Sequence, residues 1–246
     1  MKTSKIIFLS LLGTIALIIL ASAIFIKIQG QQPGLYSTTS KIARTYTTTK
    51  KDIPSFKVLS INNSTNITLV RSDSSFIEIY SLKDSLAPVV NYTTDKDTLK
   101  LKDFMPSSDN KKLVNINIHY SELLKNIKLK NSSITLESLN SGKMSIEMDS
   151  SSVMADGKSK ESNLQVLDVL GKNKSNFQIR TGKFKIDSLN IVLRNSNAYL
   201  WSKGNRLRCD ISDKSNIRVT EQPSEIVMKK DSTSQFSVRE TQTVFR

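Results

Sequence analysis

One histidine, His119, and one cysteine, Cys209, bound the chemistry open to this chain of 246 residues. A single imidazole excludes any site that needs two, and it leaves a nucleophilic triad only one candidate base. No nucleophile lies at a spacing that would pair with it. His119 closes the alternating run Val114-Asn-Ile116-Asn-Ile118 in the opposite phase to its isoleucines, which puts it on the solvent side of a half-buried strand. A single thiol excludes an intramolecular disulfide and a multi-cysteine zinc site. Cys209 falls between Leu207 and Ile211 in inward phase, where a reduced thiol acts as a small apolar side chain. The close acidic pairs are Asp95 with Asp97 and Asp149 with Asp156. Neither has the acidic spacing and glycine of a calcium loop, and both read as turn residues. Gly171-Lys-Asn-Lys174 lacks the rest of a phosphate loop. The expectation is a chain with no catalytic residue, no metal site and no cofactor.

The cations carry more information. Lys and Arg total 36 against 22 Asp and Glu, a net charge of +14. They fall in pairs, as at Lys50-Lys51, Lys111-Lys112 and Lys229-Lys230, and they alternate with apolar residues at Lys128/Lys130, Lys183/Lys185 and Arg206/Arg208. On stacked strands such alternation aligns outward charges into a stripe suited to an acidic polysaccharide or lipid head groups. The opposing reading is a solvated surface whose lysines guard strand edges. Tyr199 and Trp201 supply an aromatic pair able to stack on a sugar ring. Nucleic acid is not expected, because no basic run is interleaved with aromatics in a recognition motif and the body is expected to be exported.

The elements that must position these residues begin with a greasy segment. Ile6 to Ile26 carries no charge and is bounded by Lys5 and Lys27. At about 1.5 Å per residue a helix of that length matches the core of a bilayer. A secretory signal competes, since Ala21-Ser-Ala23 resembles a cleavage site, but the apolar run exceeds a usual signal core and continues through Ile24-Phe-Ile26. The reading is a cytoplasmic tail at 1–5, an anchor at 6–28 and a Gln/Ser/Thr-rich tether at 29–52. A large domain after a first helix is commonly translocated, which places the body in the periplasm of a bacterial inner-membrane protein, with export to the surface as the alternative.

Beyond the tether, strand-period patterning is everywhere and helix periodicity is almost absent. Residues 53–126 read as an N-terminal β region, with a hairpin formed by Val89-Val-Asn-Tyr92 and Leu99-Lys-Leu101 around Thr93-Thr-Asp95-Lys-Asp97. From 127 to 246 a polar triplet recurs: Asn131-Ser-Ser133, Ser150-Ser-Ser152, Lys174-Ser-Asn176, Asn195-Ser-Asn197, Lys214-Ser-Asn216 and Ser232-Thr-Ser234. Each triplet is flanked by alternating apolar residues, such as Leu189/Ile191/Leu193 before and Tyr199 or Leu200 after. A repeat of about 20 residues built only of strands and corners predicts a β-solenoid, in which stacked coils share one core. The two β segments are then one continuous domain of an all-β protein. An antiparallel sandwich is the competing architecture.

Phe56-Lys-Val-Leu-Ser-Ile61, Asn66-Ile-Thr-Leu-Val-Arg-Ser-Asp73 and Ile116-Asn-Ile-His-Tyr-Ser-Glu-Leu-Leu-Lys-Asn-Ile127 resemble the opening of the head GIN domain family of adhesins. The resemblance covers about residues 54–238 and implies that the solenoid, of about six short coils by its repeat, is a right-handed parallel β-helix-like domain behind a membrane segment or signal, in Bacteroides-type envelope proteins. It implies no catalytic residues. The corners depart from that family, using Asn and Ser in place of Gly-Ser-Gly. The functional expectation is a non-catalytic, membrane-anchored binding, adhesin-like or scaffolding protein, its partner an anionic polysaccharide, lipid head groups or another envelope protein. A β-helix polysaccharide lyase or hydrolase and a tethered regulator are the alternatives. Oligomeric state is left open.

Overall fold

The computed structural model describes residues 46–82, 90–104, 115–121, 123–156, 162–182, 184–201 and 204–239. The anchor, the cytoplasmic tail and most of the tether, and with them Lys183, lie outside the described residues. The described chain is all β, with no helix among its residues.

The strands are β1 (Tyr46–Asp52), β2 (Val58–Asn62), β3 (Ile67–Arg71), β4 (Phe76–Leu82), β5 (Asn91–Asp95), β6 (Thr98–Lys102) and β7 (Asn115–Tyr120). The repeats follow as β8 (Asn126–Lys130), β9 (Ser133–Leu136), β10 (Asn140–Asp149), β11 (Ser152–Ala155), β12 (Ser162–Lys172) and β13 (Asn176–Ile179). They end with β14 (Phe184–Arg194), β15 (Asn197–Leu200), β16 (Gly204–Ser212), β17 (Asn216–Val219), β18 (Glu225–Lys230) and β19 (Gln235–Val238). Even-numbered strands from β8 to β18 stack in parallel into one sheet, and the odd-numbered strands from β9 to β19 stack into the other. This is the parallel solenoid expected from the repeat.

The core fills the space between the sheets. Every second side chain points inward, so one column runs Leu59, Ile127, Ile146, Val169, Ile191 and Cys209 across the first sheet. Facing it, Ile67, Ile134, Val153, Phe177, Ala198 and Ile217 form a column across the second. All twelve are buried. Columns of like residues at the ~4.8 Å strand spacing give each coil the apolar partners that it could not supply alone.

The polar triplets are the corners, and the structure explains their composition. Asn131, Ser150 and Asn195 adopt left-handed φ of 47°, 50° and 49°, and the longer corners use two such residues each, Asn173-Lys174 and Asp213-Lys214. Asn tolerates this region best among non-glycine residues. The serine that follows turns inward and is buried at Ser132, Ser151, Ser175, Ser196 and Ser215. Each of these hydroxyls donates to a carbonyl two or three residues back, as Ser196 does to Arg194 at 2.9 Å. Each also accepts the backbone N–H of the corner serine in the preceding coil, at 3.1–3.2 Å. In the last corner the ladder serine is Ser234, one residue past the centre of its triplet.

The N-terminal region is threaded out of order. β2 and β3 pair in parallel with β8 and β9 on one side and with β6 and β7 on the other. β2 and β3, early in the sequence, are therefore interior members of the stack. β5 closes one sheet as an antiparallel hairpin with β6, and β4 then β1 close the other by antiparallel pairing. β1 lies within the stretch read as tether; its Tyr-Thr-Thr-Thr run has β propensity but no apolar alternation to announce it.

Candidate ligand-binding face

The cations meet on the outer face of the first sheet, where β6, β2, β8, β10 and β12 lie side by side. Lys100 and Lys128 flank Ser60 in one cross-strand row, and Lys102 and Lys130 flank Asn62 in the next. Across two strand spacings each pair is separated by about 9–10 Å at the backbone. The small side chains between them leave a shallow groove of about 280 Å³, which Lys172, Glu147 and Asp149 continue along the stack. Five ammoniums thus face two carboxylates.

The carboxylates neutralise only part of this charge. Lys128 pairs with Glu147 at 3.6 Å, Lys172 with Asp149 at 3.9 Å, and Lys100 with Asp95 at 3.2 Å. Asp149 is further committed to the Asn173 amide at 2.7 Å. Among the described residues no carboxylate stands within ion-pair distance of Lys102 or Lys130. Asn62 between them has its amide oxygen buried without a hydrogen-bond partner. The row thus sets two ammoniums without a carboxylate partner on either side of a buried, unpaired amide oxygen, a concentration of positive charge suited to an anion.

The other residues singled out in the sequence do not join this groove. Lys185 points outward from β14 and sits opposite Asn163. Arg206 is held by Glu225 at 2.6 Å, and Arg208 lies between Asn190 and Val227. Both arginines are on β16, four strands from β8, a separation of roughly 19 Å. Tyr199 lies on β15 of the second sheet and Trp201 directly follows that strand, so the pair is away from the groove on the first sheet. Trp201 is 49% exposed and Tyr199 half-buried, and Tyr199 borders a groove with Asn197, Asn216, Arg218 and Gln235. The acidic pairs do not converge either. Asp95 and Asp97 are tied to Lys100 and Lys57, while Asp149 and Asp156 extend different sheets.

His119 has an environment that its strand alone did not reveal. Its ring stacks on Phe76 at 4.0 Å, and Nε2 lies 3.5 Å from Glu78 Oε2 without hydrogen-bond alignment. Lys50 caps the Phe76 ring at 4.0 Å, and Tyr80 donates to Glu78, which pushes the phenol up to about 12. The cluster joins β1, β4 and β7 by antiparallel pairing of segments roughly 30 and 40 residues apart, so no local spacing signals it. Its one visible cue is that Phe76, Glu78 and Tyr80 share a phase. No group of three or more metal-ligating side chains occurs among the described residues.

No family model and no curated protein matches the sequence. Solved structures do match in fold. A putative adhesin from Bacteroides fragilis superposes with a TM-score of 0.56 at 15% identity, over 79% of this chain and 97% of that one. A putative adhesin from Parabacteroides merdae matches at TM-score 0.41 and 16% identity, over 80% and 97% of the two chains. A putative lipid binding protein from Parabacteroides distasonis matches at TM-score 0.46 and 12% identity, over 80% and 97%. At 15% identity the likeness to the Bacteroides fragilis structure is one of fold, and this chain's own strand order defines the class, a parallel β-solenoid.

Proposed function

We propose that this chain is a non-catalytic, adhesin-like envelope protein of the head GIN type. In this reading Ile6 to Ile26 anchors it in the bacterial inner membrane, its solenoid stands in the periplasm, and the lysine groove binds an acidic polysaccharide. The observation that carries the ligand assignment is the rectangle of Lys100, Lys102, Lys128 and Lys130 around Ser60 and Asn62. Cations recur at every second strand along the row Lys102, Lys130, Lys172, about 10 Å apart, with the polar residues Asn62 and Asp149 between them. That alternation suits an extended polymer with an anion on every second unit of about 5 Å, lying along the stack. The fold shared with the Bacteroides fragilis adhesin is consistent with a display or attachment role, and the dispersal of the candidate acids favours binding over hydrolysis.

The test uses the compact unit 46–246, with acidic glycans and anionic vesicles as ligands at low and physiological salt. Saturable glycan binding that survives physiological salt, and that falls at least tenfold in Lys102→Glu/Lys130→Glu, is expected. Equal loss in Arg206→Glu/Arg208→Glu would mean a diffuse charge effect and would sink the groove assignment. Vesicle binding without glycan binding would transfer the site to lipid head groups.

A further inference from the structure

The two ends of the stack are finished differently. At one end β5, β4 and β1 cap the sheets with antiparallel strands. At the other, β18 and β19 are the outermost strands of their sheets among the described residues, and within these their outer backbone groups have no strand partner. The core is open there too. Ile226 and Met228 continue the inward columns of Leu207 and Cys209, and Phe236 and Val238 those of Ile217 and Val219. Yet Met228 is 41% exposed where Cys209 is 5%, and neighbouring Val227 is 50% exposed.

These two edge strands are self-complementary. Take a two-fold axis perpendicular to the sheets through Val227 and Ser237, which lie at similar distances on either side of the Asp231–Ser234 corner. Antiparallel pairing about that axis sets Val227 against its own copy, Ile226 against Met228 and Glu225 against Lys229. In the other sheet it sets Phe236 against Val238 and Gln235 against Arg239. The sidedness agrees, since inward residues meet inward residues. Opposite charges meet, and Lys230 falls against the uncharged Ser224.

We propose that the β18–β19 edge is an interface for a second copy of this chain, forming a tail-to-tail two-fold dimer in which both sheets continue from one protomer into the next. Two short strands a side place it at the small end of protein interfaces, so the dimer is weak and concentration-dependent. A two-fold closes the assembly at two copies and leaves both open ends covered.

Directly opposed residues of antiparallel strands have Cα atoms about 4.5–5.5 Å apart, within the span of a disulfide. The full chain in mild detergent, carrying Val227→Cys in a Cys209→Ala background, is therefore expected to give a reducible covalent dimer under copper-phenanthroline oxidation. Leu170→Cys, also exposed but on the outer face of β12, is expected to give none. In sedimentation equilibrium the parent chain should move to dimer with concentration, and Val227→Asp should remain monomeric. Absence of the Val227→Cys crosslink in protein that keeps its β-sheet circular dichroism would overturn the proposal, as would a dimer that Val227→Asp leaves intact. A chain ending at Arg239 that dimerises where the full chain does not would also overturn it, by assigning the edge to residues 240–246.

Discussion

Ser196 shows how much of this fold rests on single hydroxyls. Its Oγ donates to the Arg194 carbonyl and accepts the Ser175 N–H at 3.1 Å, and both serines are buried. Ser196→Ala leaves a buried N–H without an acceptor, at a cost of about 1–3 kcal/mol. With roughly 2–4 °C per kcal/mol for a domain of this size, thermal melting should fall by about 2–12 °C. Asn195 tests the other half of the corner. At φ 49° it should accept Gly with almost no change, whereas Asn195→Val forces a β-branched residue into the left-handed region. Calorimetry on the three variants checks the order: Asn195→Gly near the parent chain, the other two well below.

Burial also sets an alkaline limit. Removal from water pushes the Cys209 thiol up to about 12 from its ordinary 9, and it pushes Tyr120 from 10 to about 12. The folded state holds these protons where the unfolded chain releases them. Their contribution is complete below about pH 9 and is lost as pH rises from there through 12. Equilibrium denaturation should therefore show stability declining across pH 9–12, with Cys209 inert to a thiol reagent at pH 8 until the chain unfolds. Rapid labelling of the native protein would contradict that burial.

At the scale of the element, β12 carries a glycine where its neighbours carry large residues. Gly171 stands in the inward column between Met148 and Leu193, and a Cβ built on it meets Leu193 Cδ2 at 2.9 Å and the Met148 methyl at 3.4 Å. Leu193 fills the space that the glycine leaves. Gly171→Ala should then destabilise by about 1–3 kcal/mol through overpacking, a cost that Leu193→Val should partly relieve in the double variant. Additive losses in the pair would place the strain elsewhere.

Elements were legible in the sequence wherever the cue was local. Ile127/Leu129, Leu189/Ile191/Leu193 and the Asn–Ser corners announce strand, turn and strand within a dozen residues. Asn131 and Asn195 could be read as left-handed because that preference belongs to the residue. The groove was half legible. Lys128 and Lys130 were visible as an alternating pair, but Lys100 and Lys102 join them only because β6 stacks beneath β2, a pairing set across 40 residues. The neutralising carboxylates follow from register, since Glu147 and Asp149 lie 19 residues after those lysines, one coil along. The His119–Glu78 contact depends on antiparallel pairing of β4 with β7, which no periodicity encodes.

The whole molecule behaves as a one-dimensional stack, in which each coil is stabilised by its two neighbours and the ends open first. Chain order and stack order differ. β2 and β3 are early in sequence but interior, with parallel partners on both sides, whereas β5 has one partner and β18 and β19 have one each. Hydrogen exchange on dilute protein should therefore find strong protection at 58–62 and 67–71, and weak protection at 91–95 and 225–238. Concentration separates the two weak regions. If a second copy covers β18 and β19, raising the protein concentration should slow exchange at 225–238 severalfold and leave 91–95 unchanged, because β5 lies at the opposite end. Val227→Asp should remove the concentration dependence without altering the interior coils. A profile in which 58–62 exchanged as fast as 91–95 would contradict the out-of-order threading. Concentration-independent exchange at 225–238 would leave the threading intact and reject the dimer, because one property belongs to the stack and the other only to its open end.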